Sequence, residues 1–323
     1  FGNVDFFPLS GVSNKQTIFC NEEGYYASYV SDRYGFNNPD KVWSEDDIDT
    51  IIIGDSFVHG MCVNRPNDIT SVIRNLTKKN IINLGYSANG PLIEYATLRE
   101  YLYKPIKNLI WIYYENDLID LQEELESQIL KKYINDDNFS QNLLSKQKEI
   151  NLLNEKIFFI EEKIYNKALQ IEVDTVIQSK KSLKLKNKIL KFIRLNNVKK
   201  LLIYKFEPKF EPSSTNLIDE NKLPYTEFKK IIENVKRIAL ENNINLYFVY
   251  LPRNSYALNL DNTQHKKIIK IIKEMDVSLI DLRKDFFKKK NNPQKYYTFD
   301  KGTHLNTIGY REVSKFIYQV VYN

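Results

Sequence analysis

The chain has 323 residues, 42% hydrophobic and 27% charged, with only 10 Gly and 10 Pro, which excludes disordered, collagenous and low-complexity classes and leaves apolar material for a sizeable core. The surplus of 47 basic over 41 acidic residues, a formal +6, is too small without clustering to mark a nucleic-acid binder. No apolar run is long enough to span a membrane and no signal-peptide pattern is present, but the first residue is Phe1 rather than Met, which reads as a processed product whose leader or anchor lies outside the chain.

After a polar, aromatic-rich opening, the first strand signal is the β-branched run at 49–53 ending in Gly54-Asp55-Ser56. Similar runs lie at 81–84, 109–114, 246–251 and 277–282, and their continuous apolarity points to strands covered on both faces, as in a parallel sheet. Helical patterns at 68–79, 91–103, 225–242 and 263–274 alternate with them, and an amphipathic helix over 307–322 closes the chain. This order predicts a three-layer α/β/α sandwich around a parallel, flavodoxin-like sheet of about five strands. Ligands of such folds bind outside the carboxyl ends of the strands. Residues 118–222 hold no strand pattern and read as a long helical insertion between the third and fourth strands, leaving 1–117 and 223–323 as the α/β domain. Within the insertion Lys180, Lys181, Lys184, Lys186, Lys188 and Lys191 alternate with Ile, Leu and Phe, the pattern of a solvated helix face rather than a polyanion site.

Two cysteines, Cys20 and Cys62, allow either two buried thiols or one bridge; on the chain-entropy model such a bridge stabilises by roughly 3 to 4 kcal/mol. Neither CxxC nor HExxH occurs, so no metal or other cofactor is expected. Ser56, at a strand-to-helix turn, is placed where helix N-terminal amides stabilise negative charge. A serine nucleophile requires a base, and three histidines compete for that role. His265 opens an amphipathic helix beside two lysines and reads as a surface residue. His59, three residues after Ser56, suits packing or substrate contact better than proton transfer. His304 remains, in a polar loop with Asp300 as the nearest carboxylate to orient it. Gly85 and Asn116, each after a strand, are candidate oxyanion donors with the Ser56 amide.

Together, Gly54-Asp55-Ser56-Phe57, Asn83-Leu84-Gly85, Glu115-Asn116-Asp117 and Asp300 to His304 resemble, in order, the four sequence blocks of the SGNH or GDSL hydrolase superfamily. The segment from Asp32 to Pro39 is similar to one that precedes the serine block in bacterial members with envelope roles. Two places depart from the pattern: Tyr114 stands where the family has Gly, and Asp300 is four rather than three residues before His304, so a Ser56–His304 dyad with another orienter is the alternative. The resemblance implies an ester hydrolase or O-acyltransferase acting through an acyl-serine on O-acyl, above all O-acetyl, groups of a carbohydrate or small ester. Ser56, His304 and Asp300 would be catalytic, and Ser56, Gly85 and Asn116 would form the oxyanion hole. It also implies a periplasmic or cell-envelope location, with a membrane anchor outside this chain, which favours the Cys20–Cys62 bridge. The alternative from another class is an inactive, glycan-binding relative that uses the helical insertion for interactions.

Overall fold

Two strands that the sequence reading passed over come first. β1 (Gln16–Cys20) and β2 (Ala27–Val30) form an antiparallel hairpin that is a sheet of its own. The computed structural model describes residues 6–178, 222–254, 263–298 and 303–323. The main sheet then assembles from β3 (Thr50–Gly54), β4 (Ile81–Asn83), β5 (Asn108–Tyr114), β6 (Asn245–Leu251) and β7 (Ser278–Asp281), in the order β4-β3-β5-β6-β7 with every pair parallel. This is the flavodoxin-like order, whose reversal point lies between β3 and β5.

Successive strand residues point to opposite faces, and here each face has its own core. Ile51, Ile53, Trp111, Tyr113, Phe248 and Tyr250 pack into one cluster, while Ile52, Ile110, Ile112, Val249 and Leu251 pack into the other. Every residue of β3, β4 and β5 is buried, so apart from Thr50, Asn83 and Asn108 at their ends these runs are continuously apolar rather than alternating. The expected α/β/α sandwich is therefore the observed one.

The first face is covered by α3 (Pro91–Tyr101), α4 (Asp117–Glu124), α5 (Gln128–Asn135), the start of α6 (Gln147–Gln178), α7 (Tyr225–Glu241) and α8 (Thr263–Glu274). The second is covered by α1 (Ser56–His59), α2 (Ile69–Thr77), α9 (Leu282–Asp285) and α10 (Thr307–Tyr322). Caps explain several boundaries. The Asp68 side chain accepts from Ser71 N to start α2, Lys78 closes it with left-handed backbone, and Asn306 accepts from Gly309 N to start α10. Between β5 and β6 the described residues contain helices and no strand. Leu118, Leu121, Leu130, Tyr133, Leu143, Ile150, Leu153 and Ile157 from this stretch are buried in the same cluster as α3 and β5. The lysine cluster at 180–191 lies outside the described residues.

Candidate active site

β3 ends in a turn that only a glycine fits. Gly54 has φ +155, and a Cβ there would meet Val58 Cγ2 at 2.4 Å and Ile112 O at 2.7 Å. Asp55 follows as the cap of α1, its Oδ1 accepting from Phe57 N at 2.9 Å. Ser56 is thereby lifted to the carboxyl end of the sheet, next to the reversal point. Its hydroxyl has two acceptors for one proton, His304 Nε2 at 3.0 Å and Asp55 Oδ2 at 3.3 Å.

His304 Nδ1 is 3.1 Å from Glu22 Oε1. Glu22 stands in the turn of the β1–β2 hairpin, and its Oε2 also accepts from Thr298 Oγ1 at 2.9 Å and from His304 N at 3.3 Å. These partners assign the tautomer: Nδ1–H donates to Glu22, and Nε2 is left to accept from Ser56. The hydrogen bond to His304 is the main reason the Glu22 carboxyl is held down at about 2, against an opposing push from burial. The histidine loop is pinned by Thr298 N donating to His304 O at 2.9 Å and by a bridge between Tyr297 and Leu305. Asp300, the carboxylate expected on His304, lies outside the described residues. The carboxylate found on Nδ1 is Glu22, which no motif marks; the available signal was Cys20, two residues before it, bridged to Cys62, six residues after Ser56.

The oxyanion candidates divide. Asn116 lines a cavity of about 150 Å³ together with Ser56, Ala88 and His304. One of its amide hydrogens is held by Asp120 Oδ2 at 2.7 Å, which fixes the amide and leaves the second hydrogen for a ligand. Gly85, the other expected donor, has its N–H engaged within the fold. Its N–H donates to Asn83 Oδ1 at 2.8 Å, and a Cβ there would meet Val58 and His59 at 2.4 to 2.6 Å, so this glycine serves close packing of β4 against α1. Ala88, three residues on, lines the cavity instead and has φ +61.

The segment 32–39 holds this architecture from beneath. Buried Asp32 accepts from Tyr34 N, Phe36 N, Asn38 Nδ2 and Trp43 Nε1 at 2.7 to 2.9 Å, yet burial outweighs these donors and raises its carboxyl to about 6. Asn38 pairs with both backbone groups of Asn83 at 2.9 Å, and Asn83 Nδ2 reaches Val58 O at 2.6 Å. Asn37 Nδ2 donates to His59 O at 2.8 Å. The end of β4 and α1, which carries Ser56, are thus tied by one amide network.

The other histidines have other work. His59 is buried, with Nδ1 accepting from Ser87 N at 3.2 Å, Nε2 at 2.8 Å from Tyr29 OH, and its ring stacked on Tyr86. His265, expected at the surface, is largely buried: Nε2 lies 2.9 Å from Asp281 Oδ2 and the ring packs on Tyr250. The first turn of α8 is drawn onto the end of β7 by this pair, which helical periodicity does not reveal.

Beside the cavity, burial pushes Asp55 up to about 6 and raises Glu94 and Asp117 well above the usual carboxylate range, with repulsion from Asp55 adding to the rise of Glu94 and Asp117. Trp111 Nε1 donates to Glu94 at 2.6 Å and Tyr114 N to Asp117 at 2.8 Å. Cys20, Glu22 and Cys62 lie close enough to share a metal, but both sulfurs are joined to each other in a disulfide. No thiolate is left for coordination.

No family model and no curated protein matches the chain. Among solved structures, an acetyl xylan esterase aligns with a TM-score of 0.42 and 16% sequence identity, over 85% of this chain and 100% of that chain.

Proposed function

We propose that the chain is a serine esterase or O-acyltransferase of the SGNH type, with Ser56 as nucleophile, His304 as general base and Glu22 as the group that orients it. The observation that carries this reading is the continuous relay Ser56–His304–Glu22, with contacts of 3.0 and 3.1 Å, within reach for proton transfer. Ser56 Oγ attacks the ester carbonyl while its proton passes to His304 Nε2, and Glu22 stabilises the imidazolium. The carbonyl oxygen takes the negative charge and is held by the Ser56 and Ala88 amides and Asn116 Nδ2. As the tetrahedral intermediate collapses, the alcohol leaves with the proton from His304. Water, or a sugar hydroxyl in a transferase, then gives its proton to His304 and displaces the acyl group from Ser56.

The cavity of about 150 Å³, walled by Met61, Ala88 and Ile93 among others, is smaller than the ~300–1,000 Å³ of sites for drug-sized ligands. That favours a short acyl group such as acetyl. Tyr25 and Tyr26 on the hairpin that bears Glu22 are 40% and 71% exposed, an aromatic surface suited to a sugar ring as the alcohol part. The disulfide supports an oxidising location, such as the periplasm or cell envelope. An inactive glycan-binding protein would need no such relay.

Labelling with a fluorophosphonate and turnover of p-nitrophenyl acetate test the reading. Wild type should label and turn over while Ser56→Ala does neither. Equal labelling of the two proteins, or no turnover by folded wild type, would overturn it. A sugar acceptor that raises ester consumption and appears acylated in the products would identify a transferase.

A further inference from the structure

The hairpin bearing Glu22 shares no sheet hydrogen bond with the main sheet among the described residues, and its attachments converge on one stretch of chain. Cys20 is bonded to Cys62. Tyr25 OH donates to Cys62 O at 3.2 Å, Tyr29 OH meets His59 at 2.8 Å, Ser28 N donates to Asn64 Oδ1 at 2.8 Å and Arg65 donates to Val30 O at 2.9 Å. That stretch is the continuation of α1, whose first residue is Ser56. From this convergence we infer that the Cys20–Cys62 disulfide is a positioning element of the catalytic relay, holding Glu22 against His304 in register with Ser56. The inference rests on the proposed acyl-transfer role of that relay.

The strength of the alternatives decides the point. An isolated two-stranded hairpin is at best marginally stable in water. The Glu22 side chain is 35% exposed, and a polar contact so open to solvent contributes little on its own. The bonds from Thr298 Oγ1 and His304 N to the Glu22 carboxylate are part-buried and open to the same competition from water. The small cluster of Phe19, Ala27 and Tyr29 adds packing, but its partly buried neighbours are Cys20 itself and Met61, next to Cys62. With the buried Tyr29–His59 hydrogen bond, the covalent bond is therefore the part of the attachment that solvent does not weaken, and it is the one closest in sequence to Glu22. Reduction would remove it by exchange: a dithiol thiolate attacks one sulfur, the second thiol closes a cyclic disulfide, and Cys20 and Cys62 leave as thiols carrying the two electrons and two protons.

A double-mutant cycle on p-nitrophenyl acetate tests the inference, using the full chain as wild type, Glu22→Gln, Cys20→Ser with Cys62→Ser, and all three together. Glu22→Gln should lower kcat by about 10²- to 10⁴-fold with KM little changed. The bridgeless protein should lose at least about tenfold in kcat, and adding Glu22→Gln to it should cost at least about tenfold less than in the bridged protein. In carbon-detected NMR the Glu22 carboxyl, held down by His304 in the bridged protein, should titrate nearer its ordinary value once the bridge is gone. Independent, multiplicative effects of the two changes, or an unaltered kcat in folded bridgeless protein with only a lower urea midpoint, would overturn the inference. Should the serine variants fail to fold, dithiothreitol on native wild type replaces them. Activity must then fall while near-ultraviolet dichroism persists and return on reoxidation; undiminished activity in folded, reduced protein overturns the inference. Absence of Ser56-dependent turnover in the bridged protein would instead sink the hydrolase reading, and the Glu22 carboxyl titration would still report whether the bridge positions it.

Discussion

Ala88 adopts a backbone conformation that its own side chain resists: φ +61 beside the nucleophile. Ala88→Gly should raise stability by about 0.5 to 1 kcal/mol in thermal unfolding, the relieved strain exceeding the entropy glycine adds to the unfolded chain. Asn116→Ala should lower kcat by about 10²- to 10³-fold with KM nearly unchanged, as the loss of one oxyanion donor does. Glu22 sets a pH dependence with a definite sign. Its carboxyl is held at about 2 against an ordinary 4.5, so the unfolded chain binds the proton first on acidification. The stabilisation from Glu22 is full above about 4.5 and fades as pH falls towards 2, so the urea midpoints of wild type and Glu22→Gln should converge across that window. Asp32 and Asp55, raised to about 6 from 3.8, act oppositely, costing stability as pH rises through that range. Ser56 and His304 were legible in the sequence because each sits at an element boundary that periodicity marks. Glu22 was not, because the bond that brings it to the site spans 282 residues and its neighbours show no pattern.

At the scale of elements, helix ends do much of the positioning. Glu124, in α4, accepts from Gly90 N, Leu92 N and Ile93 N at 2.5, 2.9 and 3.3 Å. It thereby caps the start of α3 across space and sets the wall of the cavity formed by Ile93. Glu124→Ala should destabilise by about 2 kcal/mol in urea unfolding, through buried N–H groups left without an acceptor. The segment 32–39 makes a similar prediction. Asp32→Asn places an amide among four donors, and should cost about 1 to 3 kcal/mol. The five strands of the main sheet and the helices between them were readable because burial on two faces makes each strand a continuous apolar run. The hairpin was not: β1 and β2 have only 5 and 4 residues and bury only Phe19, Ala27 and Tyr29, so their runs are too short to separate them from loop.

For the molecule as a whole, the reversal of strand order between β3 and β5 opens the crevice in which Ser56 and Asn116 meet. The first part of the inserted region is bound into the core that backs this crevice, with Leu130 and Tyr133 fully buried there. Deleting residues 118–157 should therefore leave a chain without a cooperative urea transition, rather than an enzyme of altered specificity. The groups of the relay are also spread along the chain: 248 residues separate Ser56 from His304. During synthesis Ser56 and Glu22 emerge long before His304, which sits in the loop entering α10. A ribosome-bound or prematurely terminated chain that lacks this loop lacks the His304 contact to Ser56. On the proposed mechanism, reactivity towards esters would therefore report that synthesis has passed His304.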